Sequence, residues 1–264
     1  MPGTSGAFTD LGARFGTGIA VAAIALVAVW IGGAIFTVLI ALAAGALIWE
    51  LARMLGATHQ AARWLAAGAA LVLAINGWVP PALGIPLVLV AALIGAQGID
   101  RQRAVFLAVA LAVMVTGLVL IAFRADHGVV WTIWLLLVVV ATDVAGYFAG
   151  RLIGGRKIWP RISPKKTWAG TAAGWIGAAL IGTLFARATG AGMAELVGWS
   201  VALSLASQIA DVAESAVKRS VGVKDSSNIL PGHGGLMDRF DGIVGAVLLT
   251  LVVTALSDFP PGAA

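Results

Sequence analysis

Apolar stretches close to the ~20 residues that a helix needs to cross a bilayer recur along the whole chain. Nine such segments cover residues 15–31, 33–52, 64–80, 82–99, 104–123, 128–150, 168–187, 193–217 and 242–258. Charged residues make up 11% of the sequence, against roughly 25% in a soluble domain. These features predict an all-α polytopic integral membrane protein with about nine transmembrane helices in a single domain, residues 1–264.

The distribution of Lys and Arg predicts how this protein is oriented in the membrane. Of the 17 basic residues, only Arg124 and Arg187 fall on the side opposite the N-terminus, and the other 15 share the N-terminal side. Because positively charged short loops stay in the cytoplasm, we predict a cytoplasmic N-terminus and an outside C-terminus in a bacterial-type inner membrane. A net charge of +5 would suggest nucleic acid in a soluble protein, but here the distribution of the charge between loops matters more, and we expect no nucleic-acid partner.

The connection at residues 151–167 contains six basic residues and no acid. Its last residues lie just before the seventh segment, where helix N–H groups and the helix dipole favour an anion. A phosphate-binding role is one interpretation, and an anchor for anionic lipid headgroups is the other. The candidate phosphate-binding residues are Ser163, Lys165, Lys166 and Thr167.

The connection at residues 218–241 mixes four basic and three acidic residues. Asp238 and Asp241 are three apart, so they share one face if the ninth helix begins near Gly234 or Gly235. Carboxylates of this kind suit Mg²⁺, which usually takes one or two from the protein and completes its shell with phosphate oxygens. Acids at a helix start also complement the helix dipole, which leaves a structural alternative open.

Three further acids lie inside apolar segments, where an ionisable group is costly and needs a partner or a wet cavity. Asp143 is in the sixth segment, and Asp211 and Glu214 are in the eighth, all near predicted cytoplasmic ends. Acids suited to a metal and bases suited to phosphates are therefore predicted on one side of the membrane, although Asp211 could instead hold helices together. Glu50 is interpreted as an interfacial residue. The chain has no Cys, which excludes a thiolate metal site and a cysteine nucleophile.

The stretch from Ser215 to Asp241 resembles the signature of the phosphatidate cytidylyltransferase (CDP-diglyceride synthase) family. ATDVAGYFAGRLIGGRK, SPKKTWAG and the early hairpin ending in Trp49 and Glu50 also resemble that family. The chain departs from the common pattern at Ala169, where an acid is usual, and at Ser227, where Gly is usual. The matching signature positions are Ser215, Lys218, Arg219, Lys224, Asp225, Pro231, His233, Gly234, Gly235, Asp238, Arg239 and Asp241.

The resemblance implies transfer of a cytidylyl group from CTP to phosphatidic acid, giving CDP-diacylglycerol and pyrophosphate. It implies Mg²⁺ as cofactor, held by Asp211, Asp238 and Asp241, with a second cation such as K⁺ left open. The partners would be CTP, phosphatidic acid and membrane lipid, and a homodimer is left open. The implied catalytic set is Asp143, Asp211, Glu214, Lys218, Asp238, Arg239 and Asp241. The implied substrate-binding set is Ser163, Lys165, Lys166, Thr167, Arg219, Lys224, Asp225, His233, Gly234 and Gly235.

Two other functions remain open at this point. A transporter or channel would explain the intramembrane acids as a proton or cation path, but it would leave the two phosphate-suited connections unexplained. Another CTP-dependent lipid enzyme, such as a polyprenol kinase, would use a similar site on a different acceptor.

Overall fold

In the part of the chain that the structure describes, the regular structure is helical apart from one short β-hairpin. The computed structural model describes residues 5–229 and 234–262, with the backbone alone for residues 5–17 and 81. Two 3₁₀ turns, Asn76–Trp78 and Pro81–Leu83, precede the fourth helix. The helices are α1 Ser5–Ile31, α2 Gly33–Met54, α3 His59–Ala74, α4 Gly84–Gln97, α5 Arg103–Leu152, α6 Trp168–Thr189, α7 Met193–Ser220 and α8 Met237–Thr254, and the strands are β1 Lys157–Trp159 and β2 Ser163–Thr167.

Every predicted apolar segment overlaps one of these helices, and the fifth and sixth segments both fall in α5. This helix has 50 residues and is broken at Gly128, whose φ of 77° and ψ of −169° are not helical. At about 1.5 Å per residue, 50 residues are more than twice the length that one crossing requires.

Five stretches of the described residues are long and apolar enough to cross a membrane: 33–54, 59–78, 103–152, 168–189 and 193–220. The described parts of α1 and α4 are shorter apolar helices. The expectation of a helical membrane protein is confirmed. The finer prediction of nine crossings is not.

The all-α prediction missed the hairpin in the 151–167 connection. Strands β1 and β2 pair antiparallel, with Lys157 opposite Thr167 and Trp159 opposite Ser163. Pro160 and Pro164 explain why this connection does not continue as a helix, because proline lacks the N–H that a helix interior uses. The hairpin brings the chain directly to the start of α6.

The chain forms two compact units, each with most of its contacts inside itself. The first unit comprises residues 1–118 and 221–239. Here α2 approaches α3 closely, since a Cβ at Gly45 would lie 2.9 Å from the carbonyl oxygen of Ala66. Leu51 and Leu73 are completely buried in this unit. The segment 221–236 belongs to the same unit and ends where α8 begins.

The second unit comprises residues 119–220 and 240–264. Small residues let its helices approach closely, as is common for helices packed in membranes. A Cβ at Gly182 of α6 would lie 3.0 Å from the carbonyl oxygen of Leu196 in α7. Buried hydroxyl groups also link its helices, since Thr142 Oγ donates to Ser204 Oγ over 2.8 Å. These contacts fix the rotation of α7 about its own axis and therefore the direction of its acidic side chains.

Candidate active site

Four acids that the sequence singled out interact within the second unit. The carboxyl group of Asp241 on α8 lies close enough to Asp211, Glu214 and Asp143 for their negative charges to repel it. It accepts a hydrogen bond from the backbone N–H of Gly242 over 2.7 Å. Acids that repel one another at partly buried positions require compensating positive charge nearby. We call Asp143, Asp211, Glu214 and Asp241 the acidic cluster.

Two lysines supply positive charge to the acidic cluster. Lys166 Nζ lies 2.6 Å from Asp211 Oδ2. Lys218 forms an ion pair with Glu214 one helical turn away, and both side chains are nearly buried. Ser215 Oγ is a more distant partner, 3.5 Å from Asp211 Oδ1. The basic and acidic residues predicted to converge are therefore in direct contact at Lys166 and Asp211.

Gln208 fixes the position of Lys166, a role that the sequence did not reveal. Lys166 Nζ donates to the carbonyl oxygen of Gln208 over 3.1 Å. The Gln208 side chain accepts from Trp175 Nε1 over 3.0 Å and donates to the carbonyl oxygen of Thr171 over 3.2 Å. Gln208 thus bridges α6 and α7 and holds Lys166 next to Asp211. Its place three residues before Asp211, on the same face of a membrane-spanning helix, was the available signal.

The other predicted residues of the basic connection have separate positions. Thr167 is buried and is the N-cap of α6, where its Oγ accepts from the N–H of Gly170 over 3.1 Å. Ser163 is half-buried in β2, whereas Lys165 is exposed. The hairpin therefore points two adjacent lysines, Lys165 and Lys166, to different surroundings.

Asp238 belongs to the first unit, and backbone and hydroxyl donors surround one of its oxygens. Its Oδ2 accepts from the N–H of Ser226 over 3.0 Å, and Ser226 Oγ lies 3.1 Å from the same oxygen. It also accepts from the N–H of Gly235 over 2.9 Å. Asp238 therefore brings Ser226 and Gly235 together at the first turn of α8. The start of α8 at Met237 agrees with the predicted helix start near Gly234 or Gly235.

Glu50 is the residue whose environment differs most from its interpretation. The prediction of an interfacial residue is wrong, because Glu50 is completely buried in the first unit. It accepts hydrogen bonds from Ser226, Ser227, Leu236 and Met237. An ionisable group in an apolar segment needs a partner, and this rule, which was applied to Asp143, would also have predicted a buried partner for Glu50.

The remaining signature residues lie between residues 219 and 239 of the sequence. Gly234 has a φ of +84°, which favours glycine. His233 and Pro231 lie outside the described residues. Gly234 is half-buried, and four other signature residues of the site prediction are exposed: Arg219, Lys224, Asp225 and Arg239.

The carboxylate oxygens of the acidic cluster are the kind of ligand that a hard divalent cation prefers. Among the described residues, no group of three or more His, Asp or Glu side chains is arranged to hold a metal ion. Mg²⁺ is usually bound by one or two carboxylates together with substrate phosphates. Asp211 and Asp241 provide two carboxylates that repel each other, and a cation would relieve that repulsion.

Comparisons with known proteins agree with these motifs. The Cytidylyltransferase family pattern matches residues 12–257. A phosphatidate cytidylyltransferase of Brucella suis is 45% identical over 139 residues, 50% of each chain. One of Bacillus subtilis is 42% identical over 118 residues, 44% of each chain, and one of Mycobacterium leprae is 36% identical over 162 residues, 60% of this chain and 50% of that protein. The aligned region spans about half the length of these relatives, and the family pattern covers nearly all of this chain. The chain belongs to the cytidylyltransferase family.

Proposed function

We propose that this protein is a phosphatidate cytidylyltransferase, which converts CTP and phosphatidic acid into CDP-diacylglycerol and pyrophosphate. Family membership supports the use of a cytidine nucleotide, and the names of the relatives support phosphatidate as the acceptor. The observation that carries the proposal is the contact of Lys166 with Asp211 inside the acidic cluster. This contact places a lysine that is suited to bind phosphate next to carboxylates that are suited to bind a metal ion.

The reaction needs charge neutralisation and alignment more than a strong base. A phosphate oxygen of phosphatidate attacks the α-phosphorus of CTP, and the bond from that phosphorus to the bridging oxygen of the β-phosphate breaks. The electron pair leaves with pyrophosphate. Because the attacking oxygen is already anionic, the protein must hold two phosphate groups in line and stabilise the departing charge.

The proposed cofactor is Mg²⁺, with Asp211 and Asp241 as its protein ligands. Bound there, it would neutralise triphosphate charge and stabilise the leaving pyrophosphate. Asp238 remains a proposed third ligand, although one of its oxygens already holds Ser226 and Gly235. K⁺ as a second cation also remains a proposal.

Lys166 has two proposed partners in the course of the reaction. In the structure it neutralises Asp211, and it would be available to bind phosphate if a cation were held by that carboxylate. Gln208 keeps it within reach of the cluster through its carbonyl oxygen. Arg219, Lys224 and Arg239 are exposed and are proposed to bind the phosphates of CTP or phosphatidate. Lys165 is also exposed, and it is proposed to add only a weak contact to phosphate.

The proposed membrane arrangement has nine crossings, the N-terminus and the site in the cytoplasm, and the C-terminus outside. A homodimer also remains a proposal. Because the chain has no Cys, single cysteines report sidedness without background. Cysteines replacing the exposed residues Asn228 and Ala188 should react from the cytoplasmic and the outer side, respectively. Labelling of both from one side would contradict this arrangement.

Pyrophosphate release by the purified protein in detergent with lipid tests the activity. We expect release only when CTP, phosphatidic acid and Mg²⁺ are all present, together with a CDP-diacylglycerol product. ATP in place of CTP should give none. Formation of CDP and a polyprenyl phosphate from CTP and a polyprenol, without pyrophosphate, would assign a kinase that acts on a different acceptor. Neither pyrophosphate nor CDP as a product, in a folded sample, would reject the enzyme assignment in favour of an ion path.

A further inference from the structure

Glu50 is a buried carboxylate that the proposed reaction does not use. It lies near the end of α2, more than 170 residues before the segment that it contacts. Its side chain is completely buried, an environment that a charged carboxylate occupies only when donors surround it. Four such donors come from one short stretch of the chain, residues 226–237.

Two of the donors are backbone N–H groups at the start of α8. Glu50 Oε1 accepts from the N–H of Leu236 over 2.8 Å, and Oε2 accepts from the N–H of Met237 over 2.6 Å. The first N–H groups of a helix have no partner within the helix and carry its positive dipole end. A carboxylate from another helix therefore caps α8 and fixes where its first turn begins.

The other two donors are hydroxyl groups of the segment before α8. Ser226 Oγ donates to Glu50 Oε2 over 3.1 Å, and Ser227 Oγ donates to Oε1. Ser226 Oγ is also 3.1 Å from Asp238 Oδ2, so it lies between two carboxylates. Ser227 stands where the family pattern usually has Gly, and its hydroxyl adds a contact that glycine could not make.

The backbone is close-fitting where these groups meet. A Cβ at Gly235 would overlap Ser226 Oγ and would lie 2.8 Å from Glu50 Oε1 and 2.9 Å from the N–H nitrogen of Ser227. Gly235 is therefore required for the contact between this segment and Glu50. Its place in the family signature has a physical reason in this chain.

We propose that Glu50 is a positioning residue that ties the described residues of this segment, 226–229 and 234–237, to α2. In this way it holds Asp225, Asp238 and the start of α8 in the arrangement that catalysis needs. This inference rests on the proposed function for its catalytic part. Its structural part, the attachment of the segment by Glu50, stands independently.

A spin label at the exposed residue 228, introduced by Asn228→Cys, tests the attachment directly. Glu50→Gln keeps the size of the side chain but replaces one acceptor oxygen with a donor NH₂ group. That group would face a hydroxyl or N–H donor of the segment. We expect the label to become markedly more mobile in Glu50→Gln, while a label at Ala188→Cys in the second unit keeps its wild-type mobility. Increased mobility at both sites would signify general unfolding and would count against a local attachment.

Enzyme kinetics on the same variants tests the positioning role. We expect kcat to fall roughly 10- to 100-fold in Glu50→Gln, the range typical when groups that orient metal ligands are removed, because Glu50 positions the proposed ligand Asp238. Ser227→Gly removes one of the four donors and should reduce kcat only a few-fold, with a small gain in label mobility. Glu195→Gln changes an exposed acid of α7 and should leave both readouts unchanged.

Two results would overturn the inference. A Glu50→Gln protein with an immobile label at residue 228 and kcat within twofold of wild type would show that Glu50 holds nothing. A large loss of kcat with an immobile label would show that Glu50 acts on a substrate instead of on the segment. If the wild-type protein releases no pyrophosphate, the proposed function fails, but label mobility still decides whether Glu50 attaches the segment.

Discussion

The two groups of acids in this molecule are satisfied in different ways. In the first unit, Glu50 and Asp238 accept hydrogen bonds from hydroxyl and backbone N–H groups. In the second unit, Asp211 and Glu214 form ion pairs with lysines, and Asp241 is repelled by its acidic neighbours. Backbone N–H groups cannot change partners without a change of backbone conformation, so the first group fixes the conformation of the chain around the start of α8. Lysines can exchange partners, so the second group can accept a metal and phosphates.

The largest effect is expected from removing one charge of the acidic cluster. Asp241→Asn keeps the side-chain shape and the acceptor for Gly242 N–H but loses a metal ligand. We expect kcat to fall by roughly 10²-fold or more. The thermal midpoint should hold or rise, because a repelling charge has been removed. Pyrophosphate release and a melting curve on the same sample measure both, with Glu195→Gln as the control. Near-normal turnover would remove Asp241 from the metal site.

A methyl group at Gly235 should disturb the first group of acids without changing any charge. In Gly235→Ala, the new Cβ overlaps Ser226 Oγ and crowds Glu50 Oε1. Overpacking of this kind typically costs about 1–3 kcal/mol, and we expect a lower thermal midpoint and roughly tenfold lower kcat.

The matched control for this substitution is Gly198→Ala on α7, where a Cβ would have no neighbour within 4 Å. Alanine should be tolerated there, since it favours the helix by up to ~1 kcal/mol relative to glycine. Equal effects of the two substitutions would mean that the close packing around Glu50 has no functional role.

Lys166 and Lys165 offer a comparison within one strand. Lys166 contacts Asp211 and the carbonyl oxygen of Gln208, whereas Lys165 is exposed. Lys166→Ala should raise the apparent KM for CTP or phosphatidate about tenfold, because a charge-assisted contact to phosphate is typically worth ~1.5–3 kcal/mol. Lys165→Ala should change it no more than about twofold, as for an exposed ion pair. Steady-state titrations of each substrate measure this, and indistinguishable kinetics of the two variants would reject the role of Lys166.

The smallest effect is expected at the N-cap of α6. Thr167→Ala removes the acceptor for the N–H of Gly170 and should destabilise the protein by about 1 kcal/mol. Thr167→Ser keeps the hydroxyl and should behave like the wild type in thermal unfolding. If the two variants melt at the same temperature, the hydroxyl of Thr167 does not act as the cap.

The helical membrane fold and most of the acidic cluster could be predicted because both depend on local rules. Apolar length predicts helices, and an acid in an apolar segment predicts a partner, which Asp211 and Glu214 have. The exact partner could not be predicted, because Lys166 reaches Asp211 only through the turn of an unforeseen hairpin. Glu50 was misjudged since its four donors lie more than 170 residues away in sequence.

Metal binding measured apart from turnover tests the contrast between the two groups of acids most directly. Mn²⁺, a paramagnetic substitute for Mg²⁺, can be titrated into wild-type protein, Asp211→Asn and Glu50→Gln and followed by electron paramagnetic resonance. We predict at most a few-fold weaker binding in Glu50→Gln, which acts only through the position of Asp238, and at least about tenfold weaker binding in Asp211→Asn. Unchanged binding in Asp211→Asn, or its loss in Glu50→Gln alone, would contradict the division of the acids into one group that binds and one that holds.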